Sequence, residues 1–160
     1  METKLLKVPK VSRQVTLWVH PEGRVVGAIY LREQSVHHAG QETPLEALNH
    51  PEPFIALRRE NPEQLRFYNR KSIIRVEYDG KDYQVATAIK PLPCQLYMMD
   101  GSCISGTIEE PLHPNKARLL DYLNNQEDLF IKLQVDNNTV LVNKSYIIHV
   151  YIDNLDDSDD

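Results

Sequence analysis

The 160-residue sequence predicts a mainly β protein made of two tandem small five-stranded barrels, each with one short helix inserted between its second and third strands. Three observations carry this prediction. The segment Asn69-Arg70-Lys71-Ser72-Ile73-Ile74-Arg75-Val76 returns as Asn143-Lys144-Ser145-Tyr146-Ile147-Ile148-His149-Val150, sharing Asn, a basic residue, Ile-Ile and Val at fixed spacing. Upstream, Val15, Leu17, Val19, Val25, Gly27 and Ile29 fall on Cys94, Leu96, Met98, Ile104, Gly106 and Ile108 at a constant offset of 79. Leu45 to Asn49 likewise falls on Leu120 to Asn124, at an offset of 75. Self-similarity of this length marks a repeat architecture, and two units of roughly 65 residues are each small enough that they should pack on one another.

The first two strands of each unit read as a hairpin. A three-residue loop at Pro21-Glu22-Gly23 would set Val19 opposite Val25, Leu17 opposite Gly27 and Val15 opposite Ile29, with every apolar residue on one face. Pro suits the first central position of a type I turn and Gly the left-handed position that closes it. Asp100-Gly101-Ser102 would do the same for Met98 and Ile104, Leu96 and Gly106, Cys94 and Ile108. Gly27 and Gly106 lie in strand interiors, where a sharp bend is the expected reason for them. The same alternation turns Trp18 and the matching Tyr97 outward in both units, which makes them candidate contacts with the other unit or with a partner.

Thr43-Pro44-Leu45-Glu46 reads as a capping box opening the first helix, and Asn115 as the N-cap of a second helix ending near Leu123. Third strands follow at Phe54 to Leu57 and Phe130 to Leu133, then turns at Asn61-Pro62-Glu63 and Asp136-Asn137-Asn138. Fourth strands, at about 65–68 and 139–142, lead into the repeated Asn-basic turn. In the closing strand Ile74, Val76 and Tyr78 alternate with Arg75 and Glu77, as Ile148 and Val150 do around His149. Asp79-Gly80 signals a hairpin into an extra strand, Tyr83 to Ile89. The division is therefore an N-terminal arm (1–12), a first repeat with an extra strand (13–89), a linker at Lys90-Pro91-Leu92-Pro93, a second repeat (94–152) and an acidic tail (153–160).

Charge is distributed unevenly. The net charge is −5, yet residues 58–75 carry +4 and residues 91–160 carry −8. Five acids in the last eight residues repel one another and bury little, so a disordered tail is expected. No apolar run approaches the roughly 20 residues of a membrane span, and the start of the chain has no signal-peptide core. A reduced cytoplasmic setting, bacterial in style and without a membrane contact, is the expectation. Cys94 should point inward and Cys103 outward, which is inconsistent with a disulfide between them.

The two units resemble the Sm-like family of small barrels, over about residues 14–78 and 93–152. That family's first motif, hydrophobic-x-Leu, a Gly-containing turn and x-Gly-x-hydrophobic, is matched by Leu96, Gly101, Gly106 and Ile108. Leu17, Gly23, Gly27 and Ile29 match it with the turn Gly shifted. Its second motif, a tight turn followed by x-x-Ile-x-x-Val, looks like the Asn-basic turn with its Ile-Ile-x-Val tail. An SH3-like or other small barrel is the alternative. Members of the family bind RNA through an Asp/Asn-bearing loop after the second strand and an Arg-Gly turn before the fifth. Here a helical insert replaces the first, and the turns read Asn69-Arg70 and Asn143-Lys144, so that RNA site does not carry over. The family's habit of joining strand edges into rings implies that a tandem chain acts as a ready-made dimer of barrels, three copies of which would close a six-barrel ring.

No phosphate-binding Gly loop, Gly-x-Ser-x-Gly or His-Glu-x-x-His is present, and the six His lack metal-ligand spacing. No enzyme, cofactor, metal or small-molecule substrate is therefore expected. The expected function is a non-enzymatic interaction or assembly module, binding itself or another protein through strand edges and the outward Trp18 and Tyr97. The alternative is RNA or single-stranded nucleic-acid binding by Arg58, Arg59, Arg66, Arg70, Lys71 and Arg75, with Phe67 and Tyr68 nearby for stacking.

Overall fold

The structure is a computed structural model that describes residues 10–82, 91–109 and 116–152. In chain order the first repeat holds β1 (Lys10–Val19), β2 (Gly23–Arg32), α1 (Pro44–Leu48), β3 (Phe54–Arg59), β4 (Gln64–Asn69) and β5 (Ile73–Asp79). The second holds β6 (Leu92–Met98), β7 (Cys103–Ile108), α2 (Lys116–Leu123), β8 (Phe130–Val135), β9 (Asn138–Asn143) and β10 (Ile147–Tyr151). Single 3-10 turns, Arg70–Ser72 and Lys144–Tyr146, join β4 to β5 and β9 to β10.

All ten strands form one antiparallel sheet in the order β10-β6-β7-β8-β9-β5-β1-β2-β3-β4. Each repeat thus uses the same order, fifth strand first and then first to fourth. The expectation of two separately closed barrels is corrected, because the sheet is open. The edge of β5 that could have closed the first repeat is taken instead by β9, so its backbone groups are satisfied across the repeats. Two cores result. Val15, Leu17, Ile29, Leu48, Leu57 and Val76 centre the first, which also takes in Phe130 and Leu141 from the second repeat. Leu96, Met98, Ile108, Ile131 and Leu133 centre the second, which takes in Ile74 and packs Trp18 against it.

The hairpin partners differ from the expected ones by two residues. Leu17 pairs with Val25 and Val15 with Gly27, while Leu96 pairs with Ile104 and Cys94 with Gly106. Each loop is still three residues long, but it lies earlier, at His20-Pro21-Glu22 and Met99-Asp100-Gly101. In the second loop Gly101 takes φ +88 and its N–H reaches the Met98 carbonyl at 3.0 Å. Asp100 Oδ1 accepts from Ser102 N and Oγ at 2.9 and 2.6 Å, a local turn that draws Ser102 level with Met98. A shift of two leaves the side-chain faces unchanged, since strands alternate with period two. Cys94 is accordingly buried and Cys103 exposed, both as free thiols, and burial pushes the Cys94 thiol up to about 11.

Gly27 and Gly106 have a tighter reason than a bend. A Cβ at Gly27 would lie 2.5 Å from the Arg58 carbonyl oxygen, and one at Gly106 would lie 2.7 Å from that of Gln134. Both repeats bring the third strand against the second at this point, where only a hydrogen fits.

The Thr43 capping box forms: Glu46 N donates to Thr43 Oγ1 at 3.2 Å, Thr43 N donates to Glu46 Oε1 at 2.8 Å, and Pro44 opens the helix. The expected linker is shorter at its far end, because Leu92 and Pro93 already belong to β6. Pro93 pairs with Thr107 beyond Gln95, the last residue matched by β10, so its missing N–H is needed by no strand on that side. Asn115, the segment Tyr83 to Ile89, most of the N-terminal arm and the acidic tail lie outside the described residues. Among those residues no helix is long and apolar enough to cross a membrane.

Candidate interaction edges

The two repeats meet at a junction built from β5 and β9. Arg75 pairs with Val142, Val76 with Leu141, Glu77 with Val140 and Tyr78 with Thr139. Two asparagines fasten it. Asn143, fully buried, caps its own 3-10 turn by accepting from Ser145 N at 2.8 Å and donates from Nδ2 to the Ile73 carbonyl at 2.9 Å. Asn49, the residue that ends α1, grips the Phe130 backbone at both atoms: Phe130 N donates to Oδ1 at 2.8 Å and Nδ2 donates to Phe130 O at 3.1 Å. At the far end of the junction Tyr78 donates to Asp82 at 2.6 Å, Lys132 lies 3.9 Å from the same carboxylate, and Thr139 donates to the Gly80 carbonyl at 2.7 Å.

One open edge of the sheet is β4, from the first repeat, and the other is β10, from the second. By the repeat alignment, β4 corresponds to β9 and β10 to β5, the two strands that pair inside the chain. Equivalent positions differ sharply in exposure. Phe130 is 1% exposed, against 55% for Phe54. Leu141 is 0% exposed, against 66% for Phe67, and Ile74 is 8% exposed, against 61% for Ile148. Buried Thr139 corresponds to exposed Leu65, and Leu45, packed against the first core, corresponds to exposed Leu120. Phe54, Leu65, Phe67 and Ile148 thus stand exposed on or beside the two open edges, at counterparts of buried positions, while exposed Val36 and Met99 lie in loops. An edge strand of this kind offers unpaired backbone groups beside apolar surface.

The aromatics predicted to face outward repeat one arrangement in two settings. The Arg75 guanidinium lies over the Trp18 ring at 4.1 Å, and Trp18 is half-buried against the second core, so it contacts the other repeat. Tyr97 stacks on His149, Arg75's counterpart, with ring centroids 4.5 Å apart, and remains exposed beside the β10 edge.

The six basic residues do not converge on one surface. Arg70 is buried and donates to the carbonyls of Ala47, Glu52 and Phe54, at 3.0 Å to Ala47 and 2.8 Å to Phe54. Burial lowers its pKa, opposed by the charges of Glu52 and Glu42. Its counterpart Lys144 does similar work, donating to the Asn125 carbonyl at 2.7 Å. Arg66 donates to Glu22 at 2.6 Å and to Tyr68 Oη at 2.8 Å, and Arg58 donates to Tyr30 Oη at 2.7 Å and Glu63 at 3.1 Å. Arg75 covers Trp18. Arg59 is partly buried and Lys71 exposed. A groove of about 1110 Å³ runs beside the junction, where Glu52, Glu127 and Asp128 offset Arg70, Lys71 and Lys144, so its lining has no cationic excess.

Sequence reading missed Phe54, Leu65 and Ile148 at the edges and the junction role of the asparagines, and it named Phe67 only as a stacking residue for nucleic acid. The signal for the asparagines was present, since Asn49 matches Asn124 and Asn69 matches Asn143 in the repeat. Their role depends on which strands meet, and that is a long-range choice. No family model, curated protein or solved structure matches this chain, so the function rests on this geometry.

Proposed function

We propose that this protein is a non-enzymatic assembly module that associates through the two open edges of its sheet. The reading is carried by one observation: positions buried at the β5–β9 junction are exposed at their counterparts on β4 and β10. The common strand order of the repeats and the shared Asn-basic turn support treating each as a small barrel-like unit of the Sm-like kind. An edge strand recruits another strand by backbone hydrogen bonds, and flanking side chains select which strand is accepted. Here Phe54, Leu65 and Phe67 flank one edge, and Ile148 and Tyr97 the other. The nucleic-acid alternative loses support, since Arg70, Arg66, Arg58 and Arg75 are committed to carbonyls, carboxylates, phenols and an indole within the fold. Sedimentation across a range of concentrations tests the reading. A particle heavier than the 18.5 kDa chain is expected, with Phe67→Glu returning it toward one chain. An unpartnered 18.5 kDa species at every concentration would refute it.

A further inference from the structure

His149 is a titratable side chain in the middle of an open edge strand, at the register where the chain's own junction places a permanent cation. We infer that association through the β10 edge is switched by pH, with His149 as the titrating group and its protonated form accepting a partner strand more tightly. The inference deepens the edge-assembly reading above and rests on it.

The two positions share their geometry. Arg75 stands opposite Trp18 between β5 and β1, and His149 stands opposite Tyr97 between β10 and β6. The Arg75 guanidinium lies 4.1 Å from the centre of the Trp18 ring, and the His149 ring centre lies 4.5 Å from that of Tyr97 with the planes at 28°. In both places an aromatic side chain of the neighbouring strand supports the outward residue of the strand that carries the edge. Charge is what differs. Arginine stays ionised, whereas a histidine changes charge between about pH 5 and pH 8.

The surroundings leave aromatic faces as the support for that charge. Two residues beyond Arg75 stands Glu77, whereas two residues beyond His149 stands Tyr151. The titratable groups beside His149 are Tyr97 on β6, Tyr151 on its own strand and Cys103, which pairs with Tyr97 from β7. Among the described residues, the histidines paired with carboxylates are His38 and His50, not His149.

The junction also sets the sign of the effect. Arg75 is only half-buried although the strand beside it is paired, with Val142 opposite. A cation at this position thus keeps water on its open side while the ring supports the other. Attraction between a cation and an aromatic face grows as water is removed, and a neutral imidazole has no such gain. Covering the edge therefore favours the protonated ring, and by reciprocity protonation favours the covered edge. Ile148, 61% exposed, precedes His149 in the strand, so a partner that covers the one passes over the other.

Sedimentation of wild type, His149→Arg and His149→Gln at about pH 8 and about pH 6 tests the switch, the remaining histidines being common to all three. Wild type should associate about two- to fivefold more tightly at the lower pH. His149→Arg, which installs the junction's own residue, should associate at the higher pH as tightly as wild type does at the lower, and His149→Gln should stay at the weaker level throughout. Tyr97→Leu, which removes the supporting ring, should lose the wild-type response. If His149→Gln tightens on acidification as much as wild type, or His149→Arg is no tighter than wild type at the higher pH, the switch is overturned while edge assembly stands. The same holds if wild type weakens on acidification while His149→Gln does not. A Tyr97→Leu variant with an undiminished response would overturn the role of the aromatic face. A wild type that stays a single chain at both pH values would overturn the edge-assembly reading and the switch together. Circular dichroism of each variant separates loss of association from loss of the fold.

Discussion

Asn143 serves two structures with one side chain, capping its own turn through Oδ1 and bonding the Ile73 carbonyl through Nδ2. Its counterpart Asn69 makes only the cap within one chain. Asn143→Ala leaves a buried carbonyl and N–H unsatisfied, and urea unfolding should register a loss of about 2–3 kcal/mol. Asn69→Ala, at an exposed turn, should cost about 1 kcal/mol in the separated chain. A second cluster gives the β2–α1 loop a pH dependence. The Ala39 carbonyl and the Glu46 carboxylate, 2.9 Å from His38 Nε2, hold the His38 imidazole above its ordinary 6.5. Burial alone would raise Glu46, but bonds from Thr43 N, Ser35 Oγ and His38 outweigh it and hold the carboxyl below 4.5. The His38 contribution is therefore complete below pH 6.5 and lost as pH rises through its folded value. That of Glu46 is complete above pH 4.5 and lost as pH falls through its own. Thermal midpoints of wild type and His38→Ala should differ most between pH 4.5 and 6.5 and converge on the alkaline side.

At the scale of elements, the close approach of β3 to Gly27 and of β8 to Gly106 makes a clear forecast. Gly27→Ala and Gly106→Ala each force a methyl to within 3 Å of a backbone oxygen, and each should cost about 1–3 kcal/mol in urea or thermal unfolding. Ser at these sites should be no better. The ten described strands, the buried faces of β1, β2, β6 and β7 and the Thr43 capping box were legible in the sequence, because alternation and capping are local. The hairpin partners were not, since parity specifies only which face a residue takes and both registers satisfy it. What separated them was the Asp100–Ser102 turn and the left-handed Gly101, small local terms that alternation does not contain. Arg70 was misread for a related reason. A basic residue in a turn looks like a surface contact until carbonyls from α1 (Ala47), the loop after it (Glu52) and the start of β3 (Phe54) surround the guanidinium.

Across the whole molecule the repeats are joined rather than merely adjacent. β5 pairs with β1 of its own repeat on one side and with β9 of the other repeat on the other, and Phe130, Leu141 and Ile74 are exchanged between the two cores. The duplication was plain from the repeated Asn-basic segment, but not the open sheet, because a repeat shows what each unit contains and not which edges meet. Once the junction is known, the unequal exposure of equivalent residues becomes interpretable. Phe54, Phe67 and Ile148 stand exposed at the counterparts of buried Phe130, Leu141 and Ile74, and under the edge-assembly proposal a partner strand would cover them. Under the edge-assembly proposal the two unlike open edges, β4 and β10, are what the chain offers to a partner. Native mass spectrometry of the wild-type chain tests this most directly. A particle heavier than the 18.5 kDa chain is the expected result of the edge-assembly proposal; a lone 18.5 kDa species persisting at high concentration would contradict it.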